Sequence, residues 1–273
     1  ELYARTAVDA ALADGELRAG RFGTAAELLD RSCKQLETVP QLATLHAQLA
    51  ARLNRTRKLD QFYQGIERGE LLEFFEYDDQ AEAEIEAALR SVGVWDYDPW
   101  WNALPAEDLS PAQLERLRED VFRELLLLAS IRAKSALVDF GAADSAKVYR
   151  EVLELSQRAS AWRPSQSARV LEVFARVGLG PLEALKLKMG PAIEPTSQAD
   201  LYFVGLMQFW FGQTQQDAVN KLLNLLRPFT GMDFTDSLAQ SERLLRTAVA
   251  RDPHHYWTWF FLGWTKLQAR DFH

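Results

Sequence analysis

Residues 248–263, Ala-Val-Ala-Arg-Asp-Pro-His-His-Tyr-Trp-Thr-Trp-Phe-Phe-Leu-Gly, carry the strongest fold signal in this 273-residue chain. Pro253 follows the small residue Ala248 by five positions, and proline is common just beyond a helix because it cannot continue one. After the proline, Leu262 and Gly263 lie on one face of a second helix, about one turn after a tryptophan. The stretch therefore predicts two consecutive helices that meet near Pro253.

This order of residues resembles the tetratricopeptide repeat, in which pairs of antiparallel helices stack into an α-solenoid. The pattern has a small residue late in helix B, a proline at its end, and a bulky-Leu-Gly face in the next helix A. The resemblance implies a module that binds other proteins rather than transforming them. It also implies that Phe272 lies in the following turn, so that the helix B expected to cover Trp259 and Leu262 is not part of this sequence.

Two further segments carry parts of the same pattern. In residues 12–29, Ala13 and Ala25 are small residues that allow two helices to approach closely. In residues 201–253, a helix A at 199–212 is separated from its helix B by residues 213–235. We interpret that separation as an insertion in the penultimate repeat, because repeat arrays tolerate additions in their turns.

Helix-forming residues with apolar spacings of three and four dominate the chain, and alternating β-branched runs do not occur. The sequence therefore predicts an all-α, tetratricopeptide-like α-solenoid of antiparallel helix pairs with an irregular middle. Four divisions are predicted. Residues 1–53 form a helical pair plus a following helix, and 54–109 form an irregular aromatic-rich segment. Residues 110–198 form degenerate helical pairs, and 199–273 form repeats with an insertion and a truncated last member.

Residues 113–128 and 252–257 resemble the tetratricopeptide-containing C-terminal regions of large bacterial serine/threonine protein kinases. The resemblance implies a non-catalytic part of a larger bacterial signalling protein. The sequence contains no Gly-rich phosphate loop and no His-Arg-Asp, and the Asp-Phe-Gly at 139–141 stands without them. Any kinase catalytic domain would therefore lie outside this segment.

Composition narrows the classes of partner. A net charge of −8 and a pI of about 5.2 disfavour nucleic-acid binding, which needs a basic face. The most apolar run, 201–211, is shorter than the roughly 20 residues that cross a bilayer, so no membrane insertion is predicted. Cys33 is the only cysteine, which excludes an internal disulfide and fits a reducing, cytoplasmic location.

Candidate chemical sites are sparse, and we predict no catalytic, cofactor-binding or metal site. Asp96 and Asp98 form an Asp-x-Asp pair, the basis of a third interpretation as a metal-dependent helical transferase. Two acids do not fill a six- to eight-ligand shell, however. His254 and His255 follow a helix-ending proline, where capping or solvent exposure is the simpler interpretation.

The candidate binding site is an aromatic groove formed by two neighbouring helices A. Aligning Gly205 with Gly263 places eight residues on the face that lines the inner groove of such repeats: Tyr202, Leu206, Phe209, Trp210, Trp257, Phe260, Trp264 and Leu267. We hypothesise that they anchor a peptide or protein segment, because aromatic pockets dominate interface energies. The alternative is that they pack against 213–235 or against further repeats.

A runner-up function of a different class uses the same groove. In that interpretation the chain is a ligand-sensing helical arm of a regulatory ATPase or transcription regulator, with an effector bound between the helices. The sequence predicts neither the identity of the partner nor the oligomeric state.

Overall fold

A computed structural model describes residues 2–138, 145–187, 193–213, 227–230, 232 and 236–271. Every regular element within those ranges is helical, which confirms the predicted all-α class. The helices are α1 (Leu2–Arg18), α2 (Phe22–Leu36), α3 (Ala43–Phe74), α4 (Asp78–Ser91), α5 (Pro111–Val138), α6 (Ser145–Trp162), α7 (Gln166–Leu179), α8 (Pro181–Ala184), α9 (Gln198–Gln213), α10 (Ser237–Arg251) and α11 (Tyr256–Asp271), with short 3-10 turns at Pro40–Leu42 and Trp100–Asn102.

The chain divides into two compact units, Glu1–Val121 and Phe122–His273. The first unit begins with the helical pair that the sequence predicts, α1 and α2. Gly20 joins them with φ 75°, a left-handed conformation that glycine adopts without strain. Ala13 and Ala25 are fully buried in the core of this pair, so small residues lie where the two helices approach.

The next helix differs from the sequence-based expectation. A helix was expected to end near Leu53, yet α3 is a single helix of 32 residues that continues through Asn54 to Phe74. The division predicted at 53/54 therefore falls inside it. No proline or glycine occurs between 43 and 64, so nothing in that stretch breaks the backbone hydrogen bonding.

Helix α4 packs closely along the second half of α3. A Cβ atom added to Gly65 would lie 2.8 Å from Ala88 Cβ, and one added to Gly69 would lie 2.5 Å from Ile85 Cγ1. Both separations are too short for carbon atoms. Glycine at these two positions therefore permits the approach of α4.

An ion-pair network fixes the segment before α5. The Asp108 carboxylate accepts a hydrogen bond from Arg55 Nε at 2.7 Å and lies 3.2 Å from Arg52 Nε. Arg55 also pairs with Glu107 at 2.9 Å. Helix α5 then begins with a capping box: Gln113 N donates to Ser110 Oγ at 3.3 Å, and Ser110 N donates to Gln113 Oε1 at 3.1 Å.

The second unit contains two packed groups of helices. In the first, α6 packs on α7, and Tyr149 occupies the space that Gly178 leaves, since a Cβ there would lie 2.4 Å from its ring. In the second group, α10 packs on both α9 and α11. Of the insertion predicted at 213–235, residues 214–226, 231 and 233–235 lie outside the described residues, and 227–230 are helical.

The surroundings of Gly69 in α3 and of Gly15 in α1 predict opposite effects of an alanine substitution on stability. Gly69→Ala should lower the free energy of unfolding by about 1–3 kcal/mol, because the methyl group overlaps Ile85. Gly15→Ala, in α1, should raise it by about 0.5–1 kcal/mol, because nothing lies within 4 Å and alanine is the better helix former. Urea denaturation of both variants measures the difference. Stabilisation by both substitutions would contradict the packing of α4 on α3.

Candidate functional site

The structure brings the aromatic residues of α9 and α11 together. Phe209 contacts Phe261 and Trp264, with ring centroids 6.0 and 6.2 Å apart, and Tyr202 contacts Phe261 at 6.2 Å. Within α11, Phe260 lies between Trp257 and Trp264 at 6.1 and 5.4 Å. The two helices are therefore neighbours, as the alignment of Gly205 with Gly263 predicts.

The two halves of the predicted groove differ in accessibility. Tyr202, Leu206 and Phe209 of α9 are buried, so in this structure they hold α9 against its neighbours and are not accessible to a partner. The side chain of Trp210 lies outside the described residues. On α11, Trp257 and Phe260 are half-buried, whereas Trp264 is 41% and Leu267 60% exposed.

Two exposed aromatic residues were not among the predicted groove residues. Tyr256 is 66% and Trp259 52% exposed, and the Trp259 indole N–H donates to the Pro253 carbonyl at 2.9 Å. Leu262, expected to lack cover together with Trp259, is instead buried. A signal for the missed residues was available, because Tyr256 and Trp259 recur at helical spacing with Gly263 and Leu267.

The accessible residues form one continuous surface, which we call the α11 face. It consists of Tyr256, Trp259, Phe260, Gly263, Trp264 and Leu267, all at least partly exposed. Their spacing of three and four residues places them on the side of α11 opposite to the buried Thr258, Phe261, Leu262 and Thr265. Among the described side chains of α11, the charged residue at the border of this face is the exposed Lys266.

His255 fixes the start of α11. Its Nδ1 atom accepts a hydrogen bond from Thr258 N at 3.3 Å and lies 2.6 Å from Thr258 Oγ1. Gln198 Nε2 of α9 also donates to Thr258 Oγ1, at 3.2 Å. Because Thr258 Oγ1 accepts from Gln198, its proton is directed to Nδ1, so the proton of the neutral imidazole lies on Nε2. The second histidine of the pair thus acts as a helix cap that ties α11 to α9.

Burial and charge keep this imidazole neutral. Desolvation, followed by the charge of Arg123, lowers the pKa of His255 from 6.5 to about 4, while Asp252 opposes the shift. The Nε2 atom is buried and has no hydrogen-bond partner among the described residues. Protonation would therefore add a charge at the start of a helix, where the macrodipole disfavours cations.

Asp200 ties the start of α9 to the start of α7. Its buried carboxylate accepts hydrogen bonds from the backbone N–H groups of Gln166 and Ser167, at 3.1 and 2.8 Å, and from the Ser167 hydroxyl. The Gln166 side chain in turn donates a hydrogen bond to Thr230 O at 2.7 Å and accepts one from Ile193 N at 2.8 Å. Burial raises the pKa of Asp200, and its hydrogen bonds oppose that shift. The carboxylate thus satisfies helix donors within the fold.

The other candidate chemical groups do not assemble into a metal centre. Among the residues that the structure describes, no group of three or more His, Cys, Asp or Glu side chains is placed to hold a metal ion, at Asp96 and Asp98 or elsewhere. Cys33 is a buried free thiol whose pKa is raised by burial.

No protein-family model, curated protein or solved structure matches this sequence. The class that the described residues define is an all-helical protein with an exposed aromatic helix face. None of the described helices combines the length and apolar character that crossing a bilayer requires.

The capping role of His255 predicts a pH dependence. Because the folded-state pKa of about 4 lies below the unfolded value of 6.5, the unfolded state binds more protons and stability falls as pH is lowered through that range. His255→Asn keeps a side-chain acceptor without a titrating group, so it should remove on the order of 2 kcal/mol of that loss. Thermal melts between pH 7 and 4 measure it. The exposed His254→Asn should leave the wild-type slope unchanged, and equal slopes in all three proteins would contradict the assignment.

The hydrogen bonds of Asp200 predict a loss of stability when its charge is removed. Asp200→Asn places an amide where backbone N–H groups need an acceptor, so the free energy of unfolding should fall by about 1–3 kcal/mol. Asp236→Asn is the matched control, since Asp236 is exposed and makes no side-chain cap hydrogen bond; it should change stability by less than about 0.5 kcal/mol. Urea denaturation compares the two.

Proposed function

We propose that this chain is a non-catalytic protein-interaction module built from tetratricopeptide-like helix pairs, and that it belongs to a larger bacterial signalling protein. The observation that carries the proposal is the α11 face. Contiguous exposed apolar surfaces on proteins commonly mark interaction sites, and this one contains three exposed aromatic residues and an exposed leucine.

The arrangement of α9, α10 and α11 supports the repeat-like part of the proposal. Helix α10 packs against both α9 and α11, as a helix B packs against its own helix A and the next one. Leu245 contacts the small residue Gly205, and Ala248 is fully buried. In α1 and α2, the small residues Ala13 and Ala25 are likewise fully buried.

The chemistry of the α11 face favours binding over catalysis. Tryptophan and tyrosine are the residues most enriched at interface hot spots, because they bury a large area and lose little side-chain entropy. The nearby titratable groups, Asp200 and His255, are engaged in capping helix starts. The face therefore offers anchoring surface for a protein or peptide partner.

Selection from a displayed library of twelve-residue peptides tests the proposal. The expected result is enrichment of peptides with apolar anchors that bind the full chain, measured by calorimetry. Trp264→Ala/Leu267→Ala should weaken that binding by about thirtyfold, the loss typical of hot-spot residues.

Leu182→Ala/Leu185→Ala is the matched control, because these leucines are also strongly exposed and lie in the same unit. It should leave the affinity of the selected peptides unchanged. The proposal fails if no peptide is enriched, or if both double variants bind the selected peptides as the wild type does.

A further inference from the structure

The net charge of this chain is concentrated in one helical hairpin. Residues 67–86, which include the end of α3 and the start of α4, contain nine acidic residues and one arginine. Their net charge of −8 equals that of the whole chain. Subtracting them from the 39 acidic and 31 basic residues of the chain leaves thirty of each. The acidic character of the protein therefore belongs to this segment, which we call the α3–α4 end.

A tight turn brings the acidic residues of both helices to the same end of the hairpin. Tyr77 N donates to Leu72 O at 3.0 Å, a bond that closes the end of a helix, and Glu76 has a left-handed φ of 62°. Helix α4 then runs back along α3, where a Cβ atom added to Gly69 would overlap Ile85. The last turns of α3 and the first turns of α4 therefore lie side by side.

Exposed apolar side chains lie among these acids. Leu71, Phe75 and Tyr77 are 50%, 57% and 56% exposed, and the Phe75 ring contacts that of the half-buried Phe74 with centroids 5.0 Å apart. Leu71 and Phe75 are four residues apart, and Phe75 N donates to Leu71 O, so both lie on the same side of the helix end. The α3–α4 end thus combines an apolar surface with an acidic border.

The acidic residues of α3 occur where a helix tolerates them least. Glu67, Glu70 and Glu73 recur at every third position toward the C-terminus, and the last turn contains no basic residue. The helix macrodipole disfavours anions at that end, and like charges three residues apart repel each other. Solubility favours charges of both signs spread over a surface rather than one block of a single sign. Local costs to stability of this kind are expected at functional surfaces.

We propose that the α3–α4 end binds a basic segment of another protein, in which lysine or arginine side chains flank an apolar anchor. The anchor packs on Leu71, Phe75 and Tyr77, and the cations pair with the acidic border. The charge of the segment is what selects the occupant, because an acidic or neutral segment with the same anchor gains nothing from the border. This surface is different from the α11 face, and the inference does not depend on that face.

Two other occupants fit these observations less well. Among the residues that the structure describes, no three acidic, histidine or cysteine side chains are placed to hold a metal ion, so the acids are spread over a surface rather than directed at a point. The α3–α4 end also lies at the turn of a hairpin, whereas repeats stack through the sides of their helices. Stacking of a further repeat therefore does not account for it.

A cationic peptide with apolar anchors serves as the probe. The basic peptide is Lys-Lys-Leu-Lys-Lys-Phe-Lys-Lys-Leu-Lys-Lys-Phe with a fluorescein label. Fluorescence anisotropy with the full chain should show saturable binding that weakens as salt is added, because the Debye length falls from about 30 Å at 0.01 M to about 8 Å at 0.15 M. The same peptide with glutamate in place of every lysine should not bind. Failure of the wild type to bind the basic peptide overturns the inference.

Charge removal tests whether the binding is local. Glu67→Gln/Glu76→Gln/Asp79→Asn neutralises three exposed acids of the α3–α4 end and should weaken binding of the basic peptide by about tenfold. All three side chains are exposed, so the fold should be retained, which circular dichroism checks.

The matched control neutralises three exposed acids elsewhere in the same unit. Glu27→Gln/Glu37→Gln/Asp98→Asn makes the same chemical changes and gives the same net charge. It should weaken binding by less than about twofold, because its charges lie outside the proposed border. An equal loss in the two triple variants would mean attraction to net charge alone and would overturn the inference.

A second pair of variants tests the apolar contact. Leu71→Ala/Tyr77→Ala should weaken binding of the basic peptide by about fivefold or more. Tyr3→Ala/Leu12→Ala is its matched control, since it removes the same two residue types at positions that are 64% and 54% exposed in the same unit. If both double variants bind the peptide equally well, the apolar anchor is absent and the inference is overturned.

Two further outcomes identify a different occupant. If sedimentation velocity shows a dimer that Glu67→Gln/Glu76→Gln/Asp79→Asn dissociates, the surface belongs to a second copy and the inference is overturned. If calorimetry with calcium chloride shows binding that the same variant abolishes, while the basic peptide does not bind, the acids hold a metal ion and the inference is likewise overturned. Neither outcome bears on the α11 face, which the library-selected peptides test separately.

Discussion

Close approach of helices at small residues is the constraint on which the rest of this structure depends. Glycine within a helix costs about 1 kcal/mol relative to alanine, yet Gly65, Gly69 and Gly205 each lie in a helix where a methyl group would overlap a neighbour. The packing of α4 on α3 and of α10 on α9 offsets that cost, because a shorter distance between helices brings more apolar atoms into contact. Gly263 differs from these three glycines, because a Cβ atom added there would meet nothing within 4 Å. It has the free-energy cost of glycine in a helix without the helix packing that offsets it.

The sequence predicted the elements that depend on local residues. The all-α class and the two helices that meet near Pro253 follow from apolar spacing and from a proline that ends a helix, which act over a few residues. The continuity of α3 through Asn54 was not predicted, because the irregular spacing of apolar residues suggested a break there. The structure shows that no helix ends at that point. Pattern alone does not locate the end of a helix that lacks proline, glycine or a cap.

The sequence predicted which aromatic residues lie next to each other but not which of them are accessible. Aligning the two glycines placed the aromatics of α9 and α11 next to each other, and their ring contacts confirm that proximity. The alignment gives the direction of a side chain on its helix, whereas burial depends on which element covers that face. Tyr202 and Trp264 share a predicted groove but differ in cover, a difference that only the packing of whole helices determines.

Two buried polar contacts beneath the α11 face bear on the proposed binding function. Thr258 links His255 of α11 to Gln198 of α9, and Asp200 links α9 to α7. Neither tie contributes apolar area to an interface. Both fix the rotation of the helices, so the backbone that carries Trp259 and Trp264 is held in place before the proposed partner binds. Association then requires less ordering of the surface, and a rigid aromatic face loses less of its contact energy to entropy than a mobile one.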